Sequence, residues 1–313
     1  MKYLVLDKRQ RIEISSKYGY VLTRIAEELE KKNLDYVIAY NDEITIDFIN
    51  NAITITVQGQ NITDFTHIMF RGMRLDKPLE YETRRLIVDY IEEYNTSNPG
   101  KKIEIQNSEA IKALIFYDKI WISKICTQNN IPMIDTHYKA NGRYNVEQLP
   151  FEYPAIIKQY AGENDLRVID GKEKIKKNVY LLESPNDYQQ EFLKDKNLDE
   201  YIVQEFIPTG EDFRVFVKKG SAIAGFSRKS TKTFLTVNSG EYTKLDMNKR
   251  KDLKEFSERV AQVFNADFIA VDVMMKNEKP VLQEISFNPG FKAFETKTDG
   301  EFINLAKEII EAF

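Results

Sequence analysis

The chain has 313 residues, 42% of them hydrophobic and 30% charged, the composition of a folded globular protein with room for two or three packed units. Its 45 basic and 49 acidic side chains are spread along the chain and leave a net charge of -4, which excludes nucleic acid as the expected partner. One cysteine, Cys126, and two histidines exclude an internal disulfide and a zinc site; with no secretory signal at the N-terminus and no apolar run near the roughly 18 residues of a membrane helix, a cytoplasmic location and no membrane contact are expected.

In chain order, residues 3–6 read as an apolar strand, Tyr20, Val21, Ile25 and Leu29 carry the spacing of a helix, and residues 36–39 form a second strand. Ile44–Ile49 and Ala52–Val57 alternate as a hairpin about Asn50-Asn51, residues 66–70 are a further buried strand, and a helix is expected from about 78 to 94, before the loop NTSNPG. Residues 1–107 therefore read as a small α/β domain with a mostly parallel sheet. No GxGxxG follows the first strand and no GxxxxGK[ST] occurs, so a nucleotide site has to be sought elsewhere. From Ser108, a candidate N-cap, one long helix is expected past Ile111, Leu114, Ile115, Ile122 and Ile125 to Asn129. Strands and turns follow to about residue 245, then a helix through Leu253, Phe256 and Val260, a hairpin, and a terminal helix bearing Phe302, Leu305, Ile309 and Phe313 on one face, with Thr298 or Asp299 as its cap.

The sharpest local pattern is FIAVDVMMKNEKPVLQEISFNPG at 268–290, two apolar strands around a polar turn. Closure about Glu278 sets Asp272 directly across from Glu284. Phe268, Ala270, Asp272 and Met274 then share a face, with Leu282, Glu284, Ser286 and Asn288 at the facing positions. Two facing carboxylates repel unless a cation stands between them. Either a hard divalent ion, magnesium or manganese shared with phosphates, lies there, or each acid is half of a salt bridge to a neighbouring element.

Three further features carry charge. Lys158 ends the apolar strand YPAIIK, where an ammonium suits a phosphate oxygen as well as it suits water. YIVQEFI at 201–207 leads into Asp212-Phe213-Arg214, on its own a plain hairpin with a wet face. Arg228, Lys229 and Lys232 precede Asn238, a cluster able to clamp phosphate or merely to solvate a strand end.

In this order and spacing the four features resemble the ATP-grasp superfamily, most closely the RimK-type ligases that add glutamate to the C-terminus of a ribosomal protein. The likeness covers about residues 108–313, and the first hundred residues fit the small α/β domain preceding the grasp. The resemblance implies an α/β (α+β grasp) architecture in which that pre-grasp domain is followed by a two-lobed fold, a central lobe over 108–190 and a C-terminal lobe with the metal site over 191–313. It implies ATP and Mg2+ (or Mn2+) as cofactors, and as partners a carboxylate substrate and an amine donor, whether amino acid, peptide or protein tail; a homo-oligomer stays open.

Carried over residue by residue, Lys158 is similar to the lysine reaching the ATP phosphates, and Lys119, in FYDK, to an earlier nucleotide-side lysine. Glu205 and Phe206 fall where the family's backbone reads the adenine, Asp212 matches the ribose-side carboxylate, Arg228 an arginine near the transferred phosphate, and Asn238 a nucleotide-binding asparagine. Asp272 and Glu284 match the magnesium carboxylates. Three positions depart from the pattern. Glu284-Ile285-Ser286 has serine where the family has an asparagine, so Ser286 or Asn288 is left to complete the metal site; the loop AGEND at 161–165 has one glycine and two acids; and Thr236 replaces a common arginine.

The implied reaction is ATP-dependent amide or peptide bond formation through an acyl phosphate, with release of ADP and phosphate. Lys158, Arg228 and the metal offset the repulsion between the attacking carboxylate and the phosphate. Two alternatives share the nucleotide site: a phosphotransferase acting on a hydroxyl, and a nucleotide-binding protein whose catalysis has decayed. His67 and His137 lie outside the constellation, and Arg71, Arg74 and Lys77, near one strand end of the first domain, are candidates for holding the carboxylate substrate.

Overall fold

A computed structural model describes residues 1–9, 18–72, 78–161, 165–169, 172–176, 179–189, 193, 198–230 and 240–313. Strand β1 (Lys2–Asp7) lies inside a parallel sheet of order β2-β1-β6-β7, with β2 at Asp35–Tyr40, β6 at His67–Phe70 and β7 at Glu104–Ile105. Its alternation splits two cores: Leu4 and Leu6 enter one, Tyr3 and Val5 the other. Both faces are covered, as parallel sheets require. Helix α1 (Tyr20–Lys31) buries Leu22, Ile25, Ala26 and Leu29, and α2 (Pro78–Ser97) contributes Ile87, Val88 and Ile91 to the core on the Leu4 side. The expected hairpin pairs β3 (Ile44–Ile49) with β4 (Ala52–Val57), Ile49 opposite Ala52. Asn50 and Asn51 both take positive φ, as a two-residue hairpin turn demands, and β5 (Gln60–Asn61) adds to β4.

The single long helix expected from Ser108 is instead two, α3 (Ser108–Ala113) and α4 (Lys119–Gln128). Leu114 turns extended and is fully buried, while Tyr81 Oη lies 2.8 Å from Ile111 O and 3.1 Å from Leu114 O, engaging carbonyls a continuing helix would use. Asp118 then starts a new helix by accepting from Trp121 N at 2.8 Å. Ser108 is the first helical residue and not the cap, which is Asn107 in the left-handed region.

The next sheet has the order β12-β9-β13-β8, from β8 (Thr136–Tyr138), β9 (Ala155–Gln159), β12 (Val179–Leu182) and β13 (Tyr201–Glu205), around a core of Ala155, Ile157, Leu182, Tyr201 and Val203. Strands β10 (Asp165–Ile169) and β11 (Lys172–Lys176) form a separate antiparallel pair.

The last sheet is antiparallel, of order β16-β15-β14-β17-β18: β14 (Glu211–Lys218), β15 (Ser221–Ser230), β16 (Gly240–Lys244), β17 (Phe268–Lys276) and β18 (Lys279–Ser286). One face, with Val215, Val217, Val271 and Val273, shares a core with Leu253, Phe256 and Val260 of α5 (Lys251–Val263). The other, with Phe216, Ala224, Phe226, Phe268 and Ala270, meets α1, α6 (Lys292–Lys297) and α7 (Leu305–Ile310). The terminal helix thus begins after Phe302, which is 59% exposed, and its cap is Asn304, accepting from Lys307 N, and neither Thr298 nor Asp299.

Candidate active site

Period-two alternation decides what the second face of the last sheet presents. Toward its core end it shows Phe216, Phe226, Phe268 and Ala270; along the same strands, at the same parity, it then shows Asp212 and Arg214 on β14, Arg228 on β15, Asp272 on β17 and Glu284 on β18. Register places Arg228 opposite Asp212, Arg214 opposite Asp272, and Asp272 opposite Glu284. A continuous charged row therefore crosses four strands.

The carboxylates do face one another, but not through the symmetric closure expected from the sequence. The hairpin tip is Asn277-Glu278, with Lys276 paired to Lys279 and Val273 to Leu282. A bulge at Gln283 shifts the register by one residue before Asp272 and Glu284 pair. Leu282 consequently packs in the α5-side core with Val273 and does not share a face with Glu284.

Each acid of the row has its own cation. Arg214 grips Asp272 through two bonds of 2.7 Å, Nε to Oδ1 and Nη2 to Oδ2. Arg228 grips Asp212 at 2.7 and 2.5 Å and stands 3.6 Å from Asp272. Lys119 Nζ, at the start of α4, donates to Glu284 Oε1 at 3.1 Å. Asp272 is 6% exposed, whereas the Glu284 side chain is 47% exposed and opens toward solvent. The packed protein around the Glu284 carboxyl favours its neutral form although the side chain reaches solvent, and Lys119 and Lys158 outweigh this and hold it below its ordinary value. Burial likewise raises Asp212, and there it outweighs Arg228. For Arg214, burial works against the charge and Asp272 more than restores it.

Lys158 comes from the other sheet, on β9 opposite Ile202 and Val179, within electrostatic reach of Glu284. Two sheets thus bring opposite charges toward one place. Glu205, at the end of β13, is held by Lys276 Nζ at 2.7 Å to both oxygens, and the same ammonium reaches Asp135 at 3.2 Å. Phe206 follows directly and is half-buried. Ser286 faces Ala270 one step along from the Asp272–Glu284 pair, and Asn288 lies just beyond β18. Asn238, Lys232, Thr236, Arg74, Lys77 and most of the 161–165 loop lie outside the described residues. His67 stacks on Tyr3 at 4.5 Å and His137 sits by Tyr144, both apart from the row.

Sequence reasoning missed Arg214 and Lys276. Arg214 stands two residues after Asp212 and therefore on its face, a signal that pairing β14 with β17 would have turned into the Asp272 contact. Lys276 had no such signal, because its partner Glu205 is 71 residues away in another sheet.

The donor set fits a hard cation. Asp272 and Glu284 supply oxygen ligands only, and among the described residues no group of three or more acidic, histidine or cysteine side chains is placed to hold a metal by itself. Two carboxylates completed by phosphate oxygens and water is how magnesium is commonly held.

Residues 116–313, more than half of the chain, match the family model of the RimK-like ATP-grasp domain. The chain belongs to the RimK-like ATP-grasp family. Among curated relatives, a probable alpha-L-glutamate ligase of Maridesulfovibrio salexigens is 29% identical over 43% of this chain and 45% of that one, so the match spans less than half of the relative's length. A probable alpha-L-glutamate ligase of Syntrophotalea carbinolica is 23% identical over 82% of this chain and 79% of its own. Among solved structures, macrocyclase MdnC bound with precursor peptide MdnA from Microcystis aeruginosa superposes with a TM-score of 0.65 at 14% identity, covering 99% of this chain and 98% of that one. The RimK-like match begins at Phe116, so it takes in Lys119, both facing sheets and the whole charged row.

Proposed function

We propose that this protein is an ATP-dependent ligase that joins a carboxylate to an amine through an acyl phosphate. The observation that carries the reading is the meeting of Lys158 from one sheet with the Arg228–Asp212–Arg214–Asp272–Glu284 row of the other, in a chain of the RimK-like ATP-grasp family. An attacking carboxylate and a triphosphate repel, and Lys158, Lys119 and Arg228, brought to one place as fixed cations, lower that repulsion without reorganising during the reaction.

In this reading Lys158 and Lys119 hold phosphate oxygens, and Arg228, oriented by Asp212, faces the phosphoryl group in transfer. Backbone at Glu205 and Phe206 reads the adenine, the Lys276 pair fixing the Glu205 end of that segment; Asn238 adds a nucleotide contact. Asp272 and Glu284, with Asn288 or Ser286, hold magnesium or manganese, which when bound neutralises charge on the phosphates. Arg214 keeps Asp272 ionised and aimed, and Lys119 does the same for Glu284. A carboxylate oxygen of the acid forms a bond to the terminal phosphorus as the bond to ADP breaks. The amine nitrogen then bonds to the acyl carbon, phosphate leaves, and the amine gives up a proton.

Glutamate and peptides with free termini are the first compounds to test, given what the relatives are called. A cytoplasmic setting fits the single buried cysteine, and no described helix is long and apolar enough to cross a membrane. The test is a screen of acids with ATP, magnesium and hydroxylamine, a small nucleophile standing in for the amine. The reading expects a hydroxamate formed in step with ADP and phosphate. A stable phosphoester with no hydroxamate is the result of a phosphotransferase, and nucleotide binding without turnover that of a decayed enzyme; either overturns the ligase.

A further inference from the structure

One stretch of chain joins the two facing sheets. Residues 132–134 run along the outer edge of β18: Leu282 N donates to Pro132 O at 2.8 Å, Ile134 N donates to Leu282 O at 3.1 Å, and Met133 stands opposite Leu282 in parallel. One residue later the same chain belongs to the other sheet. Asp135 O accepts from Glu205 N at 3.0 Å, Asp135 N donates to Glu205 Oε1 at 3.3 Å, and β8 pairs with β13 from Thr136 onward, Thr136 opposite Gln204. Gln204 is buried, and its amide holds that first pair by donating to Thr136 Oγ1 at 2.7 Å. The crossing point is therefore Asp135.

Little apolar packing holds this crossing. Among the described residues, the core of the middle sheet, with Ala155, Ile157, Leu182 and Val203, shares no member with the cores on either face of the last sheet. Across the seam lies a small cluster drawn from both sides, Ile134, Ile207, Met274 and Val281. Lys276 closes it. From the tip end of β17 its ammonium holds both Glu205 oxygens at 2.7 Å and Asp135 Oδ2 at 3.2 Å. The Glu205 side chain is 14% exposed, so that pair is largely desolvated, whereas Asp135 is 63% exposed and adds less. A lysine of one sheet thus ties both residues that meet at the crossing point into the other.

We infer that Lys276 is a positioning residue for the nucleotide: by clasping Asp135 and Glu205 it sets the middle sheet, which carries Lys158 and the Glu205-Phe206 segment, at a fixed angle to the sheet that carries Arg228, Asp272 and Glu284. The inference rests on the nucleotide reading of those residues and adds what aligns them. In this role Lys276 touches no ligand and acts through Glu205 and Asp135. ATP engages both sheets at once only in the arrangement the clasp holds, and a protein that holds that arrangement part of the time binds with an affinity reduced by that fraction. At the other end of the middle sheet, just past β9, Lys119 N donates to Tyr160 O at 3.1 Å, the contact about which an unclasped sheet turns.

The test places a spin label beside each sheet of the full chain, through Glu183→Cys just past β12 and Lys249→Cys just before α5, both exposed positions, while the native Cys126 is buried. Pulsed dipolar spin resonance then reads the distances between the labels without nucleotide. One narrow distribution is expected for the chain with Lys276 and for Lys276→Arg, and a broader or displaced one for Lys276→Met. Calorimetric titration with ADP and magnesium should show binding weakened roughly tenfold in Lys276→Met, as for a competent arrangement populated about a tenth of the time, and restored in Lys276→Arg. In a Glu205→Gln/Asp135→Asn background, which already lacks the clasp, Lys276→Met should cost little more. Equal distance distributions, an unchanged ADP affinity, or a full further loss in that background overturns the positioning role, the last because it puts Lys276 on the ligand itself. Should Lys276→Met not fold, the Glu205→Gln/Asp135→Asn chain is held to the same two measurements. An unaltered chain that binds no ADP removes the nucleotide reading instead, and the distances still decide whether Lys276 sets the angle between the sheets.

Discussion

Two clusters of charge touch the segment after β18, through Pro289 and Gly290, and they differ in one respect. In the row across the last sheet, each acid has a cation of its own: Asp212 has Arg228, Asp272 has Arg214 and Glu284 has Lys119. In the cluster at the end of the parallel sheet, Arg71 and Arg84 share Asp7 and, among the described residues, leave donors unused. The first arrangement is closed in charge before any ligand arrives, so a ligand there exchanges partners. The second is not closed among the described residues, and its guanidiniums spend their bonds on the backbone carbonyls of Pro289 and Gly72. A charged site is thus recognised less by the residues it contains than by whether the chain has already satisfied them.

The row gives the comparison its hardest test at Asp272. Facing carboxylates alone would make Asp272→Asn stabilising, through relief of repulsion. The bidentate Arg214 contact reverses that sign, because the variant leaves a largely buried guanidinium without its charge partner; a loss of about 3 kcal/mol is expected together with most turnover. Thermal unfolding in metal-free buffer measures it, and an unchanged or higher Tm would mean that the Arg214 pair does not hold the row.

Next in size, Lys158→Ala should weaken ATP binding by roughly ten- to a hundredfold, the scale of a charged hydrogen bond, while the fold persists. Equal nucleotide affinity in a well-folded variant would separate Lys158 from the phosphates. Glu284→Gln sharpens the contrast with Asp272. Its carboxylate is 47% exposed, so stability should change by less than about 1 kcal/mol even though turnover is lost.

The acid limb of the stability curve gives a smaller effect. Because Glu284 is held below its ordinary value in the folded chain, its contribution is present above the ordinary carboxylate pKa and is lost as pH falls through the lower folded value. Glu284→Gln should flatten stability in that window, and a curve parallel to the unaltered protein's would show that Lys119 and Lys158 do not act on it. The smallest effect expected is none at all. Cys126 is fully buried and its thiol is pushed up to about 12, so native protein at pH 8 should resist iodoacetamide, and rapid alkylation would mean that α4 opens readily.

Local pattern was enough for the elements that close nearby. The Asn50-Asn51 hairpin, the parallel strand-helix-strand start and the Asp272–Glu284 pairing follow from alternation and turn chemistry within a few tens of residues. The break between α3 and α4 did not follow, because it depends on Tyr81, more than thirty residues back, engaging the carbonyls of Ile111 and Leu114. The bulge at Gln283 was equally hidden, since a bulge-free closure about Glu278 and a tighter turn at Asn277-Glu278 followed by a bulge place the same two acids opposite. Arg214 lay within reach of the sequence through its parity with Asp212. The Arg71–Pro289 contact spans 218 residues and was not; the sequence suggested Arg71 as a substrate ligand from its place near a strand end, with no sign that its donors would be buried and unused.

In the proposed reaction, Lys158 and the charged row transfer phosphate to a carboxylate and not to water or a hydroxyl. Once an acid that supports turnover has been found, the direct measurement uses that acid with its carboxylate oxygens labelled with oxygen-18, together with ATP, magnesium and the amine, and weighs the phosphate released. Acyl phosphate chemistry carries one labelled oxygen from the acid into each phosphate. Unlabelled phosphate would mean that water attacks ATP directly, and phosphate retained on the substrate would mean a phosphotransferase; either result contradicts the ligase.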